Sequence, residues 1–541
     1  MRHLLTLTLT ASLLTGTALA QDAGSNAAAS PADASTATLP QANSVWYTDA
    51  QVRIQEMLAR QPNTNRAKNV ILFVSDGNGV GTNFAVRVFD GQSKGMLGEE
   101  NVLPYEAFPN TALVKTYNIN AQTPDSAPTA GAMNTGIKQR FNTINLSEDG
   151  RHDQCASEEG NKLTTFAEMA TEAGKSVGVV STARITHATP AGVYAKTASR
   201  DWEASAPEGC TDIATQLVEQ MKAGVVDIAL GGGGGMFFSE GADTEGAYAG
   251  KREDGKNLVE EATSAGASYA YNAETLKAAD MSGDKPVLGL FGSSHMSYEV
   301  DRPDSEPSLT DISLAALDYL KNNDQGFYLE IESGRVDHAN HDGNAYRTLT
   351  DGQEFARAVA AVDAATDDED TLIIVTADHE HAISFNGYCG RGNPILGLCH
   401  DVDPNGIKHS DTPLLADDGK PYTVIGYLNG PGSVLTPMET AETVPPTDQT
   451  ADAVEASVTG DAAPETENFS GSRPDVTEEE ATDMDYIQQA LIPLSSETHS
   501  GEDVMVFAKG PWAHLFDGVI EQNYIFHVMN HAALEAADAA Q

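Results

Sequence analysis

The chain has few basic residues. Lysine and arginine together number 32 against 79 aspartate and glutamate, a formal charge of −47 over 541 residues. Nucleic acids and anionic membranes are held by a basic footprint, so a surplus of this sign argues against both as partners. The same surplus keeps a chain soluble and is read as the mark of a saline habitat, where salt screens the self-repulsion. Long apolar runs are also missing. The one candidate, residues 4–14, is too short to span a bilayer. It lies between Arg2 and Ala18-Leu19-Ala20, the layout of a secretory signal with a small-x-small cleavage site over residues 1–20. An exported protein without a membrane span is expected, periplasmic or extracellular. Cysteine is scarce, at positions 155, 210, 389 and 399 only. In an oxidising compartment these can pair, and Cys155 with Cys210 and Cys389 with Cys399 are expected because each pair closes a local loop.

What is present suffices for a large core. At 40% hydrophobic residues the chain can form a single elaborated α/β domain. Residues 21–43, rich in Ala, Ser, Thr, Asp and Pro without periodicity, form an expected disordered leader. An amphipathic helix is expected over 45–60, ending before Pro62. Buried strands are expected at 69–74, 176–181, 227–230, 371–376 and 504–508, and helices at 164–174, 309–320 and 345–366. The composition then shifts to Gly, Pro, Asn, Thr and acidic residues from Gly387 to Leu491, an accessory region. Within it, residues 438–471 carry no Lys or Arg and form an expected disordered acidic insertion. Five glycines, Gly231 to Gly235, lack the Gly-Lys-Ser/Thr ending of a nucleotide loop, so they are read as a turn that lets backbone pass close to a neighbour.

Chemistry-bearing residues gather after the strands. Asp76 follows the first, Thr189 comes after the second, and Asp378-His379-Glu380-His381 leaves the strand 371–376. Glu330-Ile-Glu332 ends another strand and leads into Asp337, His338 and His341, with Asp337 and His341 on one face if the segment is helical. His499 stands beside the last strand. Ligands converge at strand ends in open α/β sheets, so these residues share one address. Mixed oxygen and nitrogen donors suit zinc, and all-oxygen sets suit magnesium. Asp125-Ser126-Ala127-Pro128 opens a helix, where a serine hydroxyl lies beside unpaired amides, a place for phosphate or simply a cap.

The set Asp76, Asp125-Ser126-Ala127, Arg200, Glu332 with Asp337 and His341, Asp378-His379, and His499 resembles the alkaline phosphatase family in order and spacing, from about Asn43 to Ala533. The resemblance implies a central, mostly parallel sheet flanked by helices. It divides the chain into a core over 44–386 and 492–541 and a crown-like accessory region over 387–491. It implies two zinc ions, one held by Asp337, His341 and His499 and one by Asp76, Asp378 and His379, and a magnesium held by Asp76, Thr189 and Glu332. Ser126 would be the nucleophile and Arg200 the phosphoryl-binding fork, with Asp125 beside them. His187, His338 and His381 would stand around the ligands, as in the animal branch. Calcium is not expected, because Gly292 stands where one of its carboxylate ligands would be. Small phosphate monoesters are the implied substrates and a homodimer the implied assembly. Rival readings are a phosphodiesterase of the same superfamily and a non-catalytic acidic metal-binding surface protein.

Overall fold

The computed structural model describes residues 39–437 and 469–536. The expected signal, nearly all of the leader and most of the acidic insertion lie outside these. Contacts divide the chain into a unit ending at Gln61 and one beginning at Pro62. The described part of the first is a turn and the helix Val45–Ala59, none of whose residues is buried. It stops two residues before the Gln61-Pro62 pair, as the restriction on the residue preceding proline requires.

The second unit is built on a ten-stranded sheet. In chain order its strands are β1 (Asn69–Ser75), β2 (Asn110–Lys115), β3 (Ser176–Arg184), β4 (Ile228–Gly232), β5 (Ser268–Ala270), β6 (Val287–Leu290), β7 (Phe327–Ser333) and β8 (Thr371–Thr376), completed by Val504–Lys509 and Val519–Glu521. Val504–Lys509 lies between β8 and β2 and runs antiparallel to both, while every other neighbouring pair is parallel. Parallel sheets need both faces covered, and β1 shows it. Val70, Leu72 and Val74 point into one hydrophobic cluster, Ile71 and Phe73 into the other. Phe73 meets Phe355 of the helix Ala345–Ala364 edge to face, with centroids 5.9 Å apart.

β1 sits between β7 and β8, with Val74 opposite both Glu332 and Thr376. The C-terminal ends of the three central strands therefore finish level. That register, fixed by continuous apolar runs, puts Asp76, Glu332 and Asp378 side by side.

Small sheets follow the core strands. Glu380–His381 pairs with His499–Ser500, which returns His499 to the strand ends. Ile383–Phe385, Ile425–Gly430 and Ala490–Pro493 form a three-stranded sheet, and His400–Val402 pairs with His409–Pro413. Disulfides join Cys155 to Cys210 and Cys389 to Cys399, the expected pairing. Among the described residues, no helix is long and apolar enough to cross a membrane.

Candidate metal centre and active site

Three groups of metal-ligating side chains meet at the strand ends. Asp337, His341, His381 and His499 form one, Asp76, Asp337 and His379 a second, and Asp76, His187 and Glu332 a third. Asp337 and His341 lie four apart on the short helix Arg335–His341, and so share its face. Asp337 Oδ1 is 2.8 Å from His381 Nε2 and 3.3 Å from both His341 Nε2 and His499 Nε2. The His379 and His499 rings stack at 3.5 Å. His379 Nε2 is 3.2 Å from Asp76 Oδ1 and 3.4 Å from Asp378 Oδ2.

Ser126 joins this second group. Its Oγ lies 3.3 Å from His379 Nε2 and 3.4 Å from Asp76 Oδ1. Asp125 accepts the amides of Ala127 at 2.8 Å and Asn142 at 2.7 Å, capping the helix Ser126–Thr135. Its Oδ1 also accepts from Arg200 Nη1 at 3.1 Å, and Arg200 Nη2 donates to His187 Nε2 at 3.0 Å. The guanidinium is thereby anchored by Asp125, the residue before Ser126, and by His187.

The electrostatics fit a cation-binding centre. Burial, then Asp337 and Glu332, push the Asp76 carboxyl well above its usual range. Burial pushes Glu332 up to about 8, and burial with Asp76 pushes Asp378 up to about 6. Burial lowers His341, His379 and His499, so these rings favour the neutral form that ligates metal. Asp337 differs. Burial opposes its charge, but His341, His381 and His499 outweigh that and hold it well below the carboxylate range. Several buried atoms also lack any hydrogen-bond partner: Glu332 Oε1, Thr189 Oγ1, and Nδ1 of His187, His338 and His379. An orphaned buried polar atom costs about 1–3 kcal/mol, and buried carboxylate and hydroxyl oxygens are what a cation would satisfy.

Two residues escaped the sequence reading. Glu497 is fully buried, its Oε2 lies 2.6 Å from His381 Nδ1, and its Oε1 accepts the Ala382 amide at 2.6 Å. Burial opposes a charge on His381, yet Glu497 and Asp337 on either side outweigh it and hold its pKa well above the usual value. His295 Nε2 lies 2.6 Å from Arg184 Nη1, and its ring lies tilted at 54° against that of His338 with centroids 4.0 Å apart. It is delivered by the loop after β6, which the glycine run holds: amides of Gly233, Gly234 and Gly235 donate to Ser294, Gly292 and Ser293 carbonyls at 2.6, 2.8 and 2.9 Å. A Cβ at Gly232 would stand 2.4 Å from the Ser294 oxygen, the close approach that the glycines permit. Both residues carried the signal used elsewhere, a polar side chain beside a strand end.

The alkaline phosphatase family model matches residues 67–535. The tissue-nonspecific alkaline phosphatase of Gallus gallus is 39% identical over 508 residues, 90% of this chain and 89% of its own. The alkaline phosphatase of Gadus morhua is 39% identical over 506 residues, 90% and 96% of the two chains. Among solved structures, the alkaline phosphatase of the Antarctic bacterium TAB5 superposes with a TM-score of 0.55 at 22% identity, covering 86% of this chain and 98% of that one, a likeness of fold. With the family matched across nearly the whole second unit and the strand-end constellation inside it, the chain belongs to the alkaline phosphatase family.

Proposed function

We propose that this phosphatase hydrolyses small phosphate monoesters through a phosphoserine on Ser126, in a centre for two zinc ions and one magnesium. The carrying observation is that Ser126 Oγ sits within 3.5 Å of both Asp76 and His379 while Arg200 is anchored beside it by Asp125 and His187. Asp337, His341 and His499 would hold one zinc, Asp76, Asp378 and His379 the other, and Asp76, Thr189 and Glu332 magnesium, with His187 beside that last set. Bound there, the cations would supply Lewis-acid charge to the serine oxygen and to the departing alkoxide. The chain's own residues do the rest. The Asp125 cap fixes the first turn of the helix and so the direction of Ser126. Arg200 presents a planar fork matched to two phosphoryl oxygens, and its anchors hold that fork ready for charge that develops in the transition state. The site recognises the phosphoryl group and little else, so broad monoester specificity follows.

Export and a homodimer belong to the same proposal. The first rests on residues 1–20, the second on the family and on the helix Val45–Ala59, whose Trp46 and Leu58 are 71% and 72% exposed. Turnover of p-nitrophenyl phosphate against bis-p-nitrophenyl phosphate tests the reaction. The monoester is expected to be preferred by at least tenfold, about 1.4 kcal/mol of transition-state binding; a preference for the diester refutes the proposal.

A further inference from the structure

The helix that carries Ser126 has no apolar stripe to orient it. All ten residues of Ser126–Thr135 are buried, and Met133 is the only large apolar side chain among them. An ordinary helix sets its rotation by turning a hydrophobic face to the core. A small-residue helix buried all round packs closely but can slide and turn, so directional contacts must fix it. One such contact is the Asp125 cap at its start. Thr129 Oγ1 adds a bond to Asp378 Oδ2 at 3.3 Å, and a further directional contact lies near its end. Asn134 Nδ2 donates to Glu330 Oε2 at 2.9 Å, and the Tyr328 hydroxyl stands 2.9 Å from that same oxygen and 3.0 Å from Asn134 Oδ1. The three side chains close a ring that solvent does not reach, with Asn134 and Tyr328 at 0% and Glu330 at 1% exposure. Tyr328, Glu330 and Glu332 alternate along β7 and so share one face of it. The ring therefore joins the Ser126 helix to the strand that presents Glu332 and leads into Asp337 and His341.

Apolar side chains of similar volume would fill this seam at lower desolvation cost, so what a buried polar ring adds is a defined geometry. We propose that Tyr328, Glu330 and Asn134 are positioning residues. Their ring sets the rotation and height of the Ser126 helix against β7, and so the placement of Ser126 Oγ for attack on phosphorus. This rests on Ser126 being the nucleophile. A displacement of about 1 Å at a reacting atom costs on the order of a hundredfold in rate, which gives the ring its leverage.

The test is the rate of Ser126 phosphorylation, read by rapid acid quench with a phosphate monoester, alongside KM, zinc content and Tm. The triple change Asn134→Leu, Glu330→Met and Tyr328→Phe removes the ring together with the hydroxyl that only these partners satisfy, so it leaves no polar member of the ring buried without a partner. It is expected to load zinc and melt near the wild-type temperature, yet to phosphorylate Ser126 at least about tenfold more slowly, with KM changed less than about threefold. Tyr328→Phe keeps the Asn134–Glu330 bond and removes one hydroxyl, and is expected to fall between the two. A wild-type phosphorylation rate in the folded triple variant overturns the proposal; should that variant not fold, a wild-type rate in Tyr328→Phe does so. Ser126→Ala separates the two readings: undiminished turnover in that chain refutes the nucleophile assignment itself, whatever the ring variants do.

Discussion

Glu497 touches three groups on the Asp337 side of the centre: His381 through one carboxylate oxygen, the Ala382 amide through the other, and His341 Nδ1 through its own carbonyl at 2.5 Å. Groups that hold a metal ligand from behind typically change affinity by about 10–100-fold when altered. Glu497→Gln, which keeps the shape and removes the charge opposite His381, is expected to weaken zinc retention by about that factor while activity returns in excess zinc. Competition for zinc with a chelator of known affinity measures it, and unchanged retention would refute a holding role. At this scale the sequence was informative where residues cluster within a few positions. Asp378, His379 and His381 stand together and could be noticed at once. His295 could not be ranked, because an isolated imidazole beside a strand is common surface chemistry, and Glu497, two positions before His499, had no local pattern to say that it turns inward. Only the register of Glu380–His381 against His499–Ser500 shows that Glu497 is buried against His381.

The strands and helices that were expected lie within a few residues of their places, whereas β2, β5, β6, Val519–Glu521 and the helices Val80–Ser93 and Ile213–Ala223 were not foreseen. β8 runs over Thr371–Thr376 and one helix over Leu309–Leu320, both as their apolar patterns require. β3 continues to Arg184, beyond the expected end at Ser181, because polar Thr182 and Arg184 are covered by neighbouring loops. The accessory region was legible in composition only. Its strands are two to six residues long, too short for alternation to show.

The helix Ala345–Ala364 carries a buried acid the sequence could not flag. Burial pushes the Asp351 carboxyl up to about 8, and its Oδ2 accepts the Glu299 amide at 3.1 Å. The folded chain thus keeps a proton that the unfolded chain releases near the ordinary aspartate value of about 3.9. In that window the unfolded state binds fewer protons, so this group's contribution makes stability fall as pH rises from about 4 to about 8. Asp351→Asn keeps the acceptor and cannot ionise. It is expected to raise Tm by roughly 1–3 °C at pH 9 and to leave it unchanged at pH 4. Thermal melts of both chains across pH decide; a variant less stable at pH 9 would contradict the neutral carboxyl.

Across the whole molecule, the charge of −47 sets the response to salt. Like charges within about 10 Å repel in dilute buffer and are screened as ionic strength rises. Tm and turnover are expected to climb from about 0.05 M to about 1 M sodium chloride, where the screening length falls to about 3 Å. Indifference to salt would remove the saline reading of the composition. The local field at the centre is a separate matter, since Arg200 and bound cations would dominate it. The common address of the site residues could be read from sequence because a mostly parallel sheet brings distant segments to one edge, and the reaction class because their order and spacing resemble the alkaline phosphatase family. The ring behind Ser126 could not, since Asn134 and Glu330 lie 196 positions apart.

The proposed chemistry turns on a metal-dependent phosphoserine at the strand ends. Acid quench of the zinc- and magnesium-loaded protein during turnover of a phosphate monoester, followed by peptide mapping, tests it most directly. Phosphate is expected on Ser126 alone, absent in Ser126→Ala and lost after chelation. Full turnover in Ser126→Ala, or phosphate on another residue, would contradict it.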